Sequence, residues 1–206
     1  MSLINLQAFC DTPLTRTPFD FAVVPDFIKP EMLEPILADF PRIDQGGSFP
    51  LAALEYGPVF RQLADELMGP AVRDAFAGKF AVDLTGRPAT LTVRGLCRPK
   101  DGKIHTDSKS KLITVLIYLN PPWTTDGGRL RLLRSPSDIE DAIVEIPPYQ
   151  GTMVAFRCAD NAWHGHKPYD GQRRSIQLNW VVDEDAARSS ARRHRLSAFL
   201  KRLRRH

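Results

Sequence analysis

Residues Lys111–Leu119 constrain the fold more than any other stretch. In an extended chain, Leu112, Thr114, Leu116 and Tyr118 fall on one face and Ile113, Val115 and Ile117 on the other. Successive side chains of a strand point to opposite sides, so apolar residues on both faces describe a strand covered on both sides. The chain must therefore build a sheet with a layer against each face.

The pattern on either side says which layers. Before Pro88 it is helical. Lys29-Pro30-Glu31 opens a helix through about Phe40, with Pro30 in the first turn and Met32, Leu33, Ile36, Leu37 and Phe40 at helical spacing. Two more helices are expected over 58–68 and 70–78, divided by Gly69-Pro70. Residues 1–27 read as irregular or extended, with one short strand at Phe21–Val24. After Pro88 come short strands: 90–97, 111–119, 129–133 after the Gly127-Gly128 turn, 142–146, 151–157 and 173–182. Helices followed by a series of short strands predict a mainly-β fold with flanking helices. The expected form is a double-stranded β-helix (a jelly-roll, cupin-like barrel) with the N-terminal helices packed outside. The expected division is a single domain over 1–187, helical to about 87 and jelly-roll over about 88–182, then a tail over 188–206.

The last strand carries a chemical hint. Arg173, Ser175, Gln177 and Asn179 alternate with Arg174, Ile176, Leu178 and Trp180. If the apolar row packs on the helices, the polar row points into the barrel. Such an interior is costly unless it binds something polar.

Charge is divided unevenly. Residues 188–206 hold eight of the 28 Lys and Arg residues and no acid, which leaves 20 basic against 24 acidic residues elsewhere, a net of −4. The body is thus mildly acidic, which argues against nucleic acid as a partner. The tail reads as a basic amphipathic helix with Leu196, Phe199, Leu200 and Leu203 on its apolar stripe, suited to a peripheral membrane surface or another polyanion. No run of apolar residues is long enough to span a bilayer, and Met1–Phe19 lacks the pattern of a signal peptide. Three widely spaced cysteines argue for a reducing compartment. A cytoplasmic protein is expected, with contact at the inner membrane face through the tail.

His105-Thr106-Asp107 places an imidazole and a carboxylate on one side of an extended segment. With a further histidine they would form the two-His, one-carboxylate set that holds non-haem Fe(II) and leaves coordination positions open. His164 and His166 both fit by residue type, as Arg173 and Arg174 both fit a nearby anion site; alternation favours Arg173, which shares a face with Ser175.

In order, the chain reads His105-Thr106-Asp107, Tyr118-Leu119-Asn120, Gly127-Gly128-Arg129-Leu130-Arg131-Leu132, Gly151–Phe156, His164, Pro168 and Arg173-Arg174-Ser175. Over about residues 90–182 this resembles the 2-oxoglutarate- and Fe(II)-dependent oxygenases, in particular their prolyl 4-hydroxylase-like branch. The resemblance implies Fe(II) held by His105, Asp107 and His164. It selects His164 because a proline follows four residues on and an arginine nine residues on. It also implies 2-oxoglutarate held by Arg173, Ser175 and Tyr118, with dioxygen as oxidant and ascorbate as an auxiliary reductant. The implied reaction is hydroxylation of a small-molecule or peptide substrate with release of succinate and carbon dioxide. Asp107 stands where halogenating relatives carry a small residue, which favours hydroxylation. Arg94, His166, Gln177 and Asn179 are candidates for the substrate pocket. Two other classes compete: a non-catalytic jelly-roll module that binds metal or ligand without turnover, and a membrane- or polyanion-associated protein acting through its tail.

Overall fold

The computed structural model describes residues 2–189 and Arg192. The expected tail helix over 188–206 lies almost wholly outside the described residues. In chain order come α1 (Leu6–Asp11), β1 (Phe21–Val24), α2 (Pro30–Ala38), β2 (Phe49–Pro50), α3 (Pro58–Leu67), α4 (Pro70–Phe80), β3 (Ala89–Cys97), β4 (Lys111–Tyr118), β5 (Leu130–Leu133), β6 (Ala142–Ile146), β7 (Met153–Arg157), β8 (His164–Gly165) and β9 (Gly171–Val181). Among the described residues no helix is long and apolar enough to cross a membrane.

Two antiparallel sheets face each other. The larger has the order β1-β7-β4-β9-β3-β2 and the smaller β6-β5-β8. Neighbours in the larger sheet are far apart in sequence, as the crossing connections of a jelly roll require. β4 lies between β7 and β9, in the middle of the larger sheet, which is why both of its faces are apolar. One face meets the helices: Ile113, Val115, Ile117, Ile176, Leu178 and Trp180 pack with Phe60, Leu63, Phe76 and Phe80. The other faces the smaller sheet, where Tyr118, Val154 and Phe156 pack with Leu130, Leu132 and Ile146.

Prolines open α2, α3 and α4, where a missing N–H costs nothing. Gly57 caps α3 without a side chain; instead the Asp39 carboxylate, just beyond α2, accepts a hydrogen bond from the Val59 N–H at 2.6 Å. A Cβ on Gly57 would strike that carboxylate at 2.2 Å, so glycine is what lets α2 cap α3. α1 was not anticipated from residues 1–27. Asn5 caps it by accepting from the Ala8 N–H at 3.1 Å, and Phe9 stacks on Phe76 with ring centroids 4.1 Å apart. At six residues it depends on that contact rather than on helical propensity.

Candidate active site

Three ligating side chains converge between the sheets. One ligand atom each from His105, Asp107 and His164 lies within 4.8 Å of the others. The backbone explains how residues so far apart in the chain meet. His105 N–H donates to His164 O and His164 N–H to His105 O, both at 3.0 Å, so the 103–107 segment continues the smaller sheet beyond β8. Residues paired in this reciprocal way present their side chains to the same face, and the two imidazole centroids stand 4.3 Å apart.

Hydrogen bonds decide which ring nitrogen faces inward. Nδ1 of His105 lies 2.8 Å from the Lys103 carbonyl and Nδ1 of His164 lies 3.0 Å from the Ala162 carbonyl. A carbonyl only accepts, so both Nδ1 atoms carry protons, and Nε2 is the ring nitrogen of each left to face inward. Burial, reinforced by His105, holds the His164 ring down to a pKa of about 4, neutral at physiological pH. Burial would raise the pKa of Asp107, but Lys111, His164 and the hydrogen bonds from Lys111 and Thr114 outweigh it and keep the carboxylate ionised. Two imidazoles and one carboxylate, all within reach of one point, are a donor set that fits divalent iron.

A supporting shell that sequence reasoning missed surrounds Asp107. Lys111 Nζ donates to Oδ1 at 2.7 Å and Thr114 Oγ to Oδ2 at 2.5 Å. Thr114 Oγ also lies 2.9 Å from Asn179 Oδ1, but it has one proton, and the closer, charged carboxylate takes it. Thr114 was visible as the polar member of the inward row of β4, beside Leu116 and Tyr118. Thr114→Val keeps the shape and removes the hydrogen bond. Iron affinity should fall roughly 10- to 100-fold, the usual cost of losing an outer-shell partner, read by competition with a chromogenic chelator. Cys158, whose thiol lies 3.4 Å from Thr114 Oγ, is pushed up to about 12 by burial and by Asp107, and stays protonated.

His166 stands apart from the converging group. Its Nδ1 donates to the Lys167 carbonyl at 2.8 Å and its Nε2 faces Cys97 Sγ at 3.8 Å. Its ring lies against Gly102, where a Cβ would come within 2.3 Å of it and φ is +84°; both demand glycine.

The polar row of β9 faces the barrel interior, as alternation predicts, and the apolar row packs on the helices. Arg173 is buried; its Nε donates to the Gly128 carbonyl at 2.8 Å, and its Nη2 lies 3.4 Å from the Tyr118 hydroxyl. Arg174 points the other way, over the Phe40 ring at 5.6 Å. Burial pushes the Tyr118 phenol up against the opposing pull of Arg173. Ser175 sits between Tyr118 and Arg94 in one cross-strand row. Gln177 donates to Asn179 at 3.3 Å, so these two hydrogen-bond each other inside the barrel. Arg131 is 7% exposed and clamped by Glu140 and Glu145; its neighbours on β6 and in the preceding loop cover it.

Residues 96–182 match the model of the 2OG-Fe(II) oxygenase superfamily. The fold is similar to a prolyl 4-hydroxylase of Pseudomonas putida (15% identity, 88% of this chain and 97% of that one, TM-score 0.58). It is also similar to the viral collagen prolyl hydroxylase of Paramecium bursaria Chlorella virus-1 (14% identity, 79% and 96%, TM-score 0.57). A third likeness is to a prolyl 4-hydroxylase of Phytophthora capsici (18% identity, 98% and 73%, TM-score 0.54). No curated protein matches by sequence. The barrel has the fold of the prolyl 4-hydroxylases. Over residues 96–182 the chain is similar to the 2-oxoglutarate/Fe(II)-dependent oxygenase superfamily, whose members use Fe(II) as cofactor with 2-oxoglutarate and dioxygen as cosubstrates.

Proposed function

We propose that His105, Asp107 and His164 hold the iron, and that Arg173, with Tyr118 and Ser175, receives the distal carboxylate of 2-oxoglutarate. The enzyme then hydroxylates a small-molecule or peptide substrate as the keto acid is converted to succinate and carbon dioxide. The observation that carries this reading is the convergence of the three ligand atoms within 4.8 Å. On the same interior face lies a buried guanidinium that forms no salt bridge among the described residues. When bound, iron supplies the activation of dioxygen by the keto acid. The chain supplies the rest. The Lys103 and Ala162 carbonyls fix both imidazoles with Nε2 inward. Lys111 and Thr114 aim the carboxylate. Gly128 and Tyr118 hold the Arg173 fork in place for a carboxylate, which such a fork grips with parallel hydrogen bonds.

An anaerobic titration tests it. Fe(II) followed by 2-oxoglutarate should raise a visible metal-to-ligand charge-transfer band, absent in His105→Ala. Arg173→Ala should need roughly 10- to 100-fold more keto acid, the cost of one charge-assisted contact. Readmission of oxygen should form succinate. A band in the wild type that develops without succinate would make the protein a binding module instead.

A further inference from the structure

We propose that Arg94 is a second cationic anchor for the distal carboxylate of the keto acid, acting beside Arg173. The inference rests on the 2-oxoglutarate pocket proposed above and extends it to β3, a strand that contributes no residue to the motif.

Position comes first. Arg94 pairs with Ser175 across β3 and β9, and Ser175 pairs with Tyr118 across β9 and β4. Tyr118, Ser175 and Arg94 therefore form one inward-facing row, with Arg173 two residues along the central strand. The Arg94 side chain is tethered: its Nε donates to Ser48 Oγ at 2.7 Å, and Ser48 is itself buried at the start of β2. It is half-buried, as a wall of a pocket would be, whereas Val93 beside it on the helix side is fully buried.

Charge comes second. Among the described residues neither Arg94 nor Arg173 forms a salt bridge, while Asp101, the acid whose field reaches Arg94, is already bonded to the Arg98 backbone and guanidinium. Burial depresses the Arg94 guanidinium, Asp101 counters that in part, and Arg173 adds repulsion. His166, Cys97 and Tyr118 feel the charge of both arginines. Two like charges held on one interior face with no salt bridge among the described residues are a standing cost to the fold, and an apolar residue at Arg94 would remove it. A bound anion accounts for their presence.

The place of that anion separates cosubstrate from substrate. Thr114, four residues before Tyr118 on β4, touches Asp107. Arg94 is thus at the Tyr118 end of the interior, away from the metal-ligating group. A bond to be oxidised must lie at the metal; the far carboxylate of a chelated keto acid lies at the other end.

The test compares two keto acids by the anaerobic charge-transfer band. 2-Oxoglutarate has the distal carboxylate and 2-oxobutyrate lacks it, while both chelate iron in the same way. Arg94→Met should weaken 2-oxoglutarate roughly 10- to 100-fold and leave 2-oxobutyrate within about twofold, with Arg94→Lys in between. The melting temperature of metal-free Arg94→Met should not fall, since a repulsion has been removed. Should Arg94→Met fail to fold, Ser48→Ala, which cuts only the tether, is expected to weaken 2-oxoglutarate selectively. Unchanged 2-oxoglutarate affinity, or equal loss of both keto acids, overturns the inference while leaving the pocket itself standing. A wild type that gives no band with either acid overturns both.

Discussion

His164→Ala should leave the protein without iron, whereas His166→Ala should retain it. The two histidines are two residues apart and have matching local surroundings: each donates Nδ1–H to a backbone carbonyl, and each is held by burial at a pKa of about 4. They differ in what Nε2 faces. That of His164 looks toward His105 and Asp107, and that of His166 toward Cys97. Removing one of the three proposed ligands should cost more than the roughly 10- to 100-fold of an outer-shell loss, enough to strip the metal on desalting. Iron content after anaerobic reconstitution, measured beside far-ultraviolet circular dichroism, decides the matter. Iron lost from His166→Ala and kept by His164→Ala would reverse the assignment and break the link between the sheet pairing at His105 and the metal site.

That assignment shows how much the sequence reveals and where it stops. β4 and β9 were legible because the larger sheet imposes a strict alternation on them: one face must suit the helices and the other the barrel interior. α2, α3 and α4 were legible because each begins at a proline that can stand nowhere else in a helix so cheaply. The converging His105, Asp107 and His164 were legible through their order in the motif. What stayed hidden depends on partners distant in the chain. β2 and β8 are two residues long and have no pattern of their own; they exist because β3 and β5 offer edges to pair with. The tether from Ser48 to Arg94 needs the β2–β3 pairing to be known first. The burial of Arg131 needs β6 to bring Glu145 opposite it. Local chemistry was readable, and cross-strand registry was not.

Registry also sets how the metal-free protein responds to acid. Burial, with help from His105, lowers His164 to about 4; burial, with help from Arg173, lowers His166 to about 4, against an ordinary value of 6.5. The unfolded chain therefore takes up protons on both rings near pH 6.5, while the folded protein does so near 4. Across that window the unfolded state binds more protons, so stability is fully present above about pH 7 and is lost as pH falls. By pH 5 each ring should cost on the order of 2 kcal/mol, and the pair about 4, before most carboxylates begin to titrate. Urea melts of chelator-treated protein at pH 7.5 and pH 5 measure the difference directly. His166→Gln cannot take up a proton and should lose about half of it. A melt midpoint that is flat between the two pH values would mean that water reaches both rings, and the closed, acid-poor interior inferred around Arg94 and Arg173 would not survive that result. The same slope in His166→Gln as in the wild type would assign the whole effect to His164, placing the low-dielectric region at the metal ligands rather than at the carboxylate end of the pocket.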